Sequence, residues 1–330
     1  MGKRLLLLLI ILIALRAHGQ IDARLAETKV PAVGIGIIRD GKLREVRVYG
    51  ELQKGVPAPY DTIWNVASLT KPVVTMLTLK LVAEGKWQLD QPLARYWIDP
   101  DLAADPRAKL LTTRHVLSHT TGFPNWRWND ASKKLSFHAD PGTKFGYSGE
   151  GFEYLRKALE KKFGKTLPEL SKAYIFEPLG MRDTQHFWDA RTDESRFARW
   201  HDKEGRNAYT DYRTTKANAA DNLLTTVEDY GCFGAWIVSG TALPPAVFED
   251  MVKPQPSMGL GWEVHRDFSN GEYALIHSGS DEGVKTLIIL LPKSKQGLIV
   301  FTNGDNGFDV IGTVVTESLA LGKEIMSRAQ

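Results

Sequence analysis

The spacing of apolar residues predicts β-strands near both ends of the chain. Residues 33–38 and 43–48 are β-rich runs, and the dipeptide Asp40-Gly41 between them favours the tight turn of a hairpin. Strand patterns return late in the chain, over residues 261–265, 273–277, 285–291 and 297–302. These runs predict one sheet built from N-terminal and C-terminal strands.

A helical pattern of apolar residues begins at Ser68 and ends at Gly85. Pro72 would break a helix interior because it lacks an N–H donor, but the first turn of a helix tolerates it. The position of Pro72 therefore indicates that Ser68 lies at the start of the helix.

The middle of the chain, residues 86–218, carries more helical patterns and loop residues than alternating strands. The main helical runs are 114–118, 151–163, 167–175 and, near the end of the chain, 310–326. A sheet flanked by helices, with a mostly helical region inserted between its strands, explains this order. We therefore expect an α/β (α+β) fold, with a sheet domain formed by residues 20–85 and 219–330 and a helical domain formed by residues 86–218.

The first nineteen residues follow a different pattern. Lys3 and Arg4 precede an uninterrupted apolar run over residues 5–15, and small residues stand at Ala17 and Gly19. This is typical of a secretory signal peptide cleaved near Gly19. A retained anchor is the alternative, but the apolar run is short for a hydrocarbon layer of roughly 30 Å. We expect a periplasmic or secreted protein with no stable membrane anchor.

Removal of this leader changes the charge balance. The whole chain has 42 Lys and Arg against 39 Asp and Glu, and three of the basic residues lie within the first nineteen positions. A neutral mature chain offers no electrostatic reason to bind nucleic acid or an anionic membrane. Cys232 is the only cysteine, which excludes an internal disulfide and a cysteine-based zinc site. The sequence does not indicate an oligomeric state.

Ser68 and Lys71 are the first candidates for catalysis. Residues three apart on a helix are neighbours on its surface, so this pair places a hydroxyl beside an amine. A serine hydroxyl hardly ionises near neutral pH and needs such a base before it can act as a nucleophile. The pair alone is weak evidence, because it also arises by chance in a chain of this length.

Two further segments are able to complete a nucleophilic site. Residues 147–149, Tyr-Ser-Gly, follow a turn and precede a helix, where a phenol can point into a cleft. Residues 277–280, His-Ser-Gly-Ser, follow a predicted strand. The glycine lets the backbone approach a substrate closely, and the next N–H is available to an oxyanion.

The order S-x-x-K, Y-x-x, H-x-G resembles that of the serine β-lactamase and penicillin-binding protein superfamily. The resemblance is strongest to the class C branch, with its related esterases and D-amino-acid peptidases. Residues 116–122 (VLSHTTG), 178–181 (PLGM) and 259–262 (GLGW) are similar to that family's LLSHTSG, PLGM and GLGW segments. The match covers nearly the whole mature chain and implies a β-lactamase/transpeptidase-like fold.

The resemblance also implies roles for individual residues. Ser68 would be the acylated nucleophile, Lys71 its base or proton relay, and Tyr147 a proton shuttle. The backbone N–H groups of Ser68 and Ser280 would form the oxyanion hole. The remaining substrate-binding positions that it implies are Gly149, His277, Ser278 and Gly279. This chemistry needs no cofactor and no metal.

Two positions depart from the family pattern. Gly149 stands where the family usually has an asparagine, whose amide contacts the acylamide group of the substrate. His277 stands where the lysine of K-T-G is common, and a histidine with a pKa near 6.5 is only partly charged at neutral pH. Both changes should weaken recognition of β-lactams and peptides more than recognition of simple esters.

Four residues near these motifs keep a structural interpretation beside a functional one. His115 and His119 are expected to support a loop near the site, as the corresponding stretch does in the family. Trp126 and Trp128 would either line the rim of the cleft or pack in the core.

Three functional hypotheses follow. The leading one is a secreted serine hydrolase that acts through a Ser68 acyl-enzyme on small-molecule or peptide-like acyl substrates, such as esters or D-amino-acid peptides. The second keeps this chemistry but assigns a β-lactam or D-Ala-D-Ala substrate. The third is a non-catalytic binding protein on the same fold, which the intact set of Ser68, Lys71 and Tyr147 disfavours. The chain has no G-x-S-x-G, H-E-x-x-H or P-loop motif that would indicate another enzyme class.

Overall fold

The computed structural model describes residues 19–210, 213–254 and 258–328. The predicted leader, apart from Gly19, lies outside these residues. The strands are β1 (Ala32–Arg39), β2 (Lys42–Gln53), β3 (Val56–Pro57), β4 (Trp64–Asn65), β5 (Leu224–Thr225), β6 (Glu263–His265), β7 (Ala274–Asp281), β8 (Val284–Leu291) and β9 (Gln296–Thr302).

The helices lie on both sides of these strands in the sequence and in space. They are α1 (19–28), α2 (Thr70–Ala83), α3 (Thr113–Leu117), α4 (Gly149–Phe163), α5 (Leu167–Ser171), α6 (Glu177–Leu179), α7 (Val227–Val238), α8 (Pro245–Val252), α9 (Gly307–Ser318) and α10 (Gly322–Arg328). Within the described ranges, none of them is both long enough and apolar enough to cross a membrane.

Seven strands form one antiparallel sheet in the order β3-β2-β1-β9-β8-β7-β6. The first hairpin of the chain pairs with the last strand, so that Val33 lies opposite Thr302. The predicted sheet of N-terminal and C-terminal strands is therefore confirmed. The short strands β4 and β5 form a separate pair beside the start of α2.

Both faces of the sheet are covered, which explains the apolar character of its central strands. Val33, Ile35 and Ile37 of β1 belong to a core shared with α1, α9 and α10. The intervening Gly34 and Gly36 face α7 instead. A Cβ at Gly34 would lie 2.5 Å from a methyl carbon of Val227, so the glycine allows α7 to pack directly against the sheet.

The main core runs without interruption from the other face of the sheet into the inserted region. Phe301 of β9, Leu77 of α2 and Phe152 of α4 are all buried in this one cluster. The assignment of residues 86–218 to a separate helical domain stays an interpretation. That region is also less regular than expected, because between α6 and residue 218 its described residues contain one helical element, the 3₁₀ turn Glu194–Arg196.

Two expectations about the C-terminal part are wrong in detail. The single helix expected over residues 310–326 is two helices, because Leu319 adopts an extended conformation between α9 and α10. Residues 277–280 do not follow a strand but lie within β7. Their pairing with residues 285–288 of β8 continues the ladder through a polar segment that has no strand pattern of its own.

Candidate active site

The 3₁₀ turn that carries Ser68 joins β4 to α2 and has a constrained backbone. Ala67 has a φ of +47°, which is uncommon for a residue with a side chain. The Asn65 side chain accepts a hydrogen bond from the Ala67 N–H at 2.8 Å, and the Thr70 hydroxyl donates to the Ala67 carbonyl at 2.7 Å. Within residues 62–79, only Ser68 is partly exposed. The turn therefore presents one hydroxyl to solvent from a buried segment.

Lys71 is fully enclosed behind this hydroxyl, with 1% of its surface exposed. Its Nζ lies 3.0 Å from Ser68 Oγ and donates a hydrogen bond to the Ala220 carbonyl at 2.8 Å. Burial lowers the pKa of Lys71 to about 7, while the negative charge of Asp221 opposes that shift. A substantial fraction of the amine is therefore neutral near pH 7 and has a lone pair available for the serine proton.

The pKa of Lys71 predicts the pH dependence of acylation. Only the neutral amine can accept the Ser68 proton, so we expect kcat/KM for an ester to rise with pH through about 7 and level off above it. Below this pH it should fall about tenfold per pH unit as the ammonium form takes over. A pH–rate profile of the free enzyme measures this, and a profile without an inflection between about pH 6 and 8 would contradict Lys71 as the base.

Tyr147 lies beside both Ser68 and Lys71. Its hydroxyl forms a hydrogen bond with the Ser68 side chain, and Lys71 Nζ lies 4.6 Å from the centre of its ring. Although 37% of Tyr147 is exposed, burial of the phenol raises its pKa, and the hydrogen bond with Ser68 only partly opposes this effect. The phenol therefore stays protonated near neutral pH and can act as a proton donor.

His119 makes three contacts with the loop that carries Tyr147. Its carbonyl accepts a hydrogen bond from the Gly146 N–H at 2.8 Å, and its Nδ1 accepts one from the Ser148 N–H at 3.0 Å. Its ring stacks on the Tyr147 ring at 4.3 Å between centroids. Burial, with the charge of Lys71 as a smaller cause, lowers the pKa of His119 well below its usual value, so the ring is neutral. His119 thus positions the loop that carries the tyrosine.

His115 has a different local role. Its Nδ1 accepts a hydrogen bond from the Thr112 N–H, and the Thr112 hydroxyl accepts one from the His115 N–H, so the pair caps the N-terminus of α3. Both histidines therefore support local structure in the described geometry, as the family resemblance implied.

His277 is buried on β7, close enough to Lys71 to be affected by its charge. Its Nδ1 donates to the Ser278 carbonyl at 2.8 Å. Burial and the nearby charge of Lys71 lower the pKa of His277 to about 4. The imidazole is consequently neutral at pH 7 and offers no positive charge to a substrate carboxylate.

Gly279 allows β7 to pass directly over the serine turn. A Cβ at this position would lie 2.3 Å from Thr286 Oγ1, 2.5 Å from the Val66 carbonyl oxygen and 3.2 Å from the Ser68 nitrogen. Strand β7 therefore runs beside the Ser68 N–H, and Ser280 is the next residue along it. The use of the Ser280 N–H as the second oxyanion donor, and of Ser278 in substrate binding, stays a prediction.

Gly149 is the first residue of α4 and lies under a tryptophan ring. Its N–H donates to Asn125 Oδ1 at 2.9 Å, and a Cβ at Gly149 would lie 2.6 Å from the nearest carbon of Trp126. Trp126 stacks on Trp128 with 4.6 Å between ring centroids and 11° between ring planes. Trp126 packs against the main core, whereas Trp128 is 54% exposed.

Sequence reasoning missed the segment before β5, which contributes the Ala220 carbonyl and the Asp221 carboxyl. Burial, with the neighbouring Asp281 as a smaller cause, raises the pKa of Asp221 to about 6. The negative charges of Asp221 and Glu263 also raise the pKa of Tyr147, so three carboxyl groups face the site. These acids form no local sequence motif, because they are separated along the chain and only the fold brings them close to one another.

In residues 19–210, 213–254 and 258–328, no group of three or more His, Cys, Asp or Glu side chains is arranged to hold a metal ion.

A serine whose hydroxyl contacts a buried lysine and a tyrosine is the arrangement of an acyl-transfer site. The chain belongs to the β-lactamase family, whose model matches residues 18–316.

The chain is similar to known proteins that have different activities. The chain is 30% identical over 203 residues to the esterase EstB of Burkholderia gladioli, a match that covers 52% of the chain and 51% of EstB. It is 29% identical over 177 residues to the D-alanyl-D-alanine-carboxypeptidase/endopeptidase AmpH of Escherichia coli K12, covering 46% of the chain and 44% of AmpH. The chain thus spans about half the length of these relatives.

Solved structures show the same fold. The octameric penicillin-binding protein homologue from Pyrococcus abyssi matches with a TM-score of 0.77 and 24% identity, covering 90% of the chain and 76% of that protein. The D-amino acid amidase from Ochrobactrum anthropi SV3 matches with a TM-score of 0.74 and 20% identity, covering 91% and 97%. These likenesses confirm the expected β-lactamase/transpeptidase-like fold.

Proposed function

We propose that the protein is a serine hydrolase that forms an acyl-enzyme at Ser68 and acts by preference on esters. The observation that carries this proposal is the 3.0 Å contact between Ser68 Oγ and the Nζ of a fully buried Lys71 whose pKa is about 7. A solvated lysine, whose pKa is about 10.4, would be protonated at neutral pH and unable to act as a base. Burial gives Lys71 the proton affinity that general base catalysis requires.

The proposed reaction has two stages. Ser68 Oγ attacks the acyl carbonyl carbon while its proton passes to Lys71, and the resulting oxyanion is held by the Ser68 and Ser280 N–H groups. The bond to the leaving alcohol then breaks as Tyr147 gives its proton to the departing oxygen and recovers one from Lys71. Water next attacks the acyl carbon, its proton returns through the same groups, and a carboxylic acid leaves as the Ser68 hydroxyl re-forms.

The charges around the site support uncharged esters as substrates. His277 is neutral near pH 7, and the carboxyl groups of Asp221, Glu263 and Asp281 face the site. A substrate carboxylate, such as that of a β-lactam or of D-Ala-D-Ala, would meet no cation at His277 and would be repelled by these acids. The similarity to EstB supports the same preference.

A D-amino-acid peptide or β-lactam substrate is the second candidate. It is supported by the similarity to AmpH, which is named for D-alanyl-D-alanine-carboxypeptidase activity. We further propose that the protein is exported, because residues 1–19 have the charge and apolar pattern of a signal peptide.

Intact-protein mass spectrometry tests the proposed function. The full chain, expressed in an exporting host, is mixed with a panel of uncharged esters, D-alanyl peptides and β-lactams. We expect an acyl mass increment with esters, located by digestion on the peptide that contains Ser68, and smaller increments with the other two classes. Acylation by penicillins or D-alanyl peptides alone would assign the second candidate, and no increment with any class would overturn both. The same spectra show whether the mature chain begins near Gln20.

A further inference from the structure

The two stacked tryptophans are joined to the active site through the start of α4. Gly149 follows Tyr147 by two residues, and the Trp126 ring occupies the space that a side chain at position 149 would fill. Three carbons of that ring would lie 2.6 to 2.9 Å from a Cβ at Gly149, closer than carbon atoms approach without a bond. The Trp126 ring can therefore occupy its position only because residue 149 has no side chain.

The segment that carries the tryptophans is held rigidly. Arg127, between them, donates from its backbone and side chain to the buried Glu150, and its guanidinium also contacts the buried Asp99. The Asn125 carbonyl and side chain accept hydrogen bonds from the first two N–H groups of α4. A network of this kind fixes both rings relative to the loop that carries Tyr147.

The loop that carries Tyr147 and the tryptophan pair packed against Gly149 expose aromatic groups to solvent. Trp128 is 54% exposed, Phe145 41% and Tyr147 37%, and these are three of the large apolar side chains most exposed to solvent in the described residues. A rigid tryptophan face exposed near the start of α4 gains from contact with a flat apolar group, since aromatic rings prefer stacked or edge-to-face contacts.

We propose that Trp126 and Trp128 form the binding wall for an aryl-bearing acyl group of the ester substrate. This inference rests on the proposed acyl-enzyme at Ser68. The wall stands at the start of α4, where Gly149 leaves no side-chain amide to bind a polar acyl substituent. Trp128 supplies the exposed face, and Trp126 holds that face in place by stacking beneath it.

Steady-state kinetics with two matched esters tests the wall. The probes are p-nitrophenyl phenylacetate and p-nitrophenyl acetate, which share a leaving group and differ in the acyl ring. We expect the phenylacetate to have the higher kcat/KM with the wild type, and Trp128→Ala to reduce the ratio about tenfold, mostly through the phenylacetate. Trp128→Phe, which keeps a ring, should retain most of the preference. Tyr60→Ala removes an aromatic side chain of the same 54% exposure elsewhere and should leave the ratio unchanged.

Gly149→Ala provides a second test that does not depend on Trp128. The added methyl group must displace the Trp126 ring, so the variant should lose the aryl preference as Trp128→Ala does. In a Trp126→Ala background, the same change at position 149 should have no further effect on the ratio.

The outcomes separate this inference from the proposed function. Hydrolysis of both esters with equal kcat/KM, or a ratio unaffected by Trp128→Ala and Gly149→Ala, would overturn the aryl-binding wall and leave the acyl-enzyme standing. A wild-type protein that neither ester acylates would instead overturn the proposed function.

Discussion

Ser68→Ala is expected to abolish acylation and to reduce turnover of a chromogenic ester by at least about 10⁴-fold. The substitution removes only the Oγ atom that attacks the carbonyl and leaves the Lys71 and Tyr147 side chains in place. Neither can replace it as a nucleophile, since Tyr147 is held protonated by its raised pKa and Lys71 is fully buried. Labelling with a fluorophosphonate and intact mass measurement should therefore show no adduct.

A matched control for this change is Ser327→Ala. Ser327 is an exposed serine on α10, which packs on the opposite face of the sheet. This variant should retain wild-type activity and labelling. Persistent turnover by Ser68→Ala, with the purified protein free of contaminating esterases, would show that the hydrolysis uses another nucleophile.

Lys71→Met is expected to lower kcat/KM for esters by about 10² to 10⁴-fold. Methionine has a similar length and fits an enclosed apolar space, but it cannot accept the Ser68 proton. Because burial of an amine disfavours its charged form, the variant should unfold at a temperature equal to or above that of the wild type. A loss of activity with preserved stability would locate the defect in proton transfer rather than in folding.

The pH profile distinguishes this role from a purely structural one. In Lys71→Met the inflection near pH 7 should disappear from the residual activity, because the titrating amine is gone. Lys80→Met, on the same helix but partly exposed, should keep both the rate and the profile. An unchanged inflection in Lys71→Met would assign the titration to another group, with the Asp221 carboxyl as the first candidate.

The sheet was predictable from sequence because its central strands are continuous apolar runs. Helix α7 was not, although it covers one face of that sheet. Its Gly231 and Gly234 disfavour a helix in isolation, but the Leu43 side chain would lie 2.7 Å from a Cβ at Gly231. The close approach of α7 to the sheet requires these glycines. Tertiary packing therefore stabilises a helix that its local helix propensity disfavours.

Part of the candidate site was also predictable from the sequence, and part was not. The positions of Ser68, Lys71 and Tyr147 followed from short motifs, and the structure brings these three side chains together. The Ala220 carbonyl that accepts from Lys71 is far away in the sequence and belongs to no motif. Trp126 and Gly149 were recognised separately, but their dependence on each other appears only where α4 meets the loop before it.

The pairing of β1 with β9 has a consequence for how the molecule folds. Ser68 follows the first hairpin and Gly279 lies on β7, and the ladder between β1 and β9 joins the N-terminal strands to the C-terminal strands. Contacts between such distant parts of a chain form late and slowly, because a long loop must close first. A nascent chain can therefore have its serine helix formed well before β7 is in place beside Ser68. Covalent labelling of Ser68 during refolding would report when the N-terminal and C-terminal strands dock.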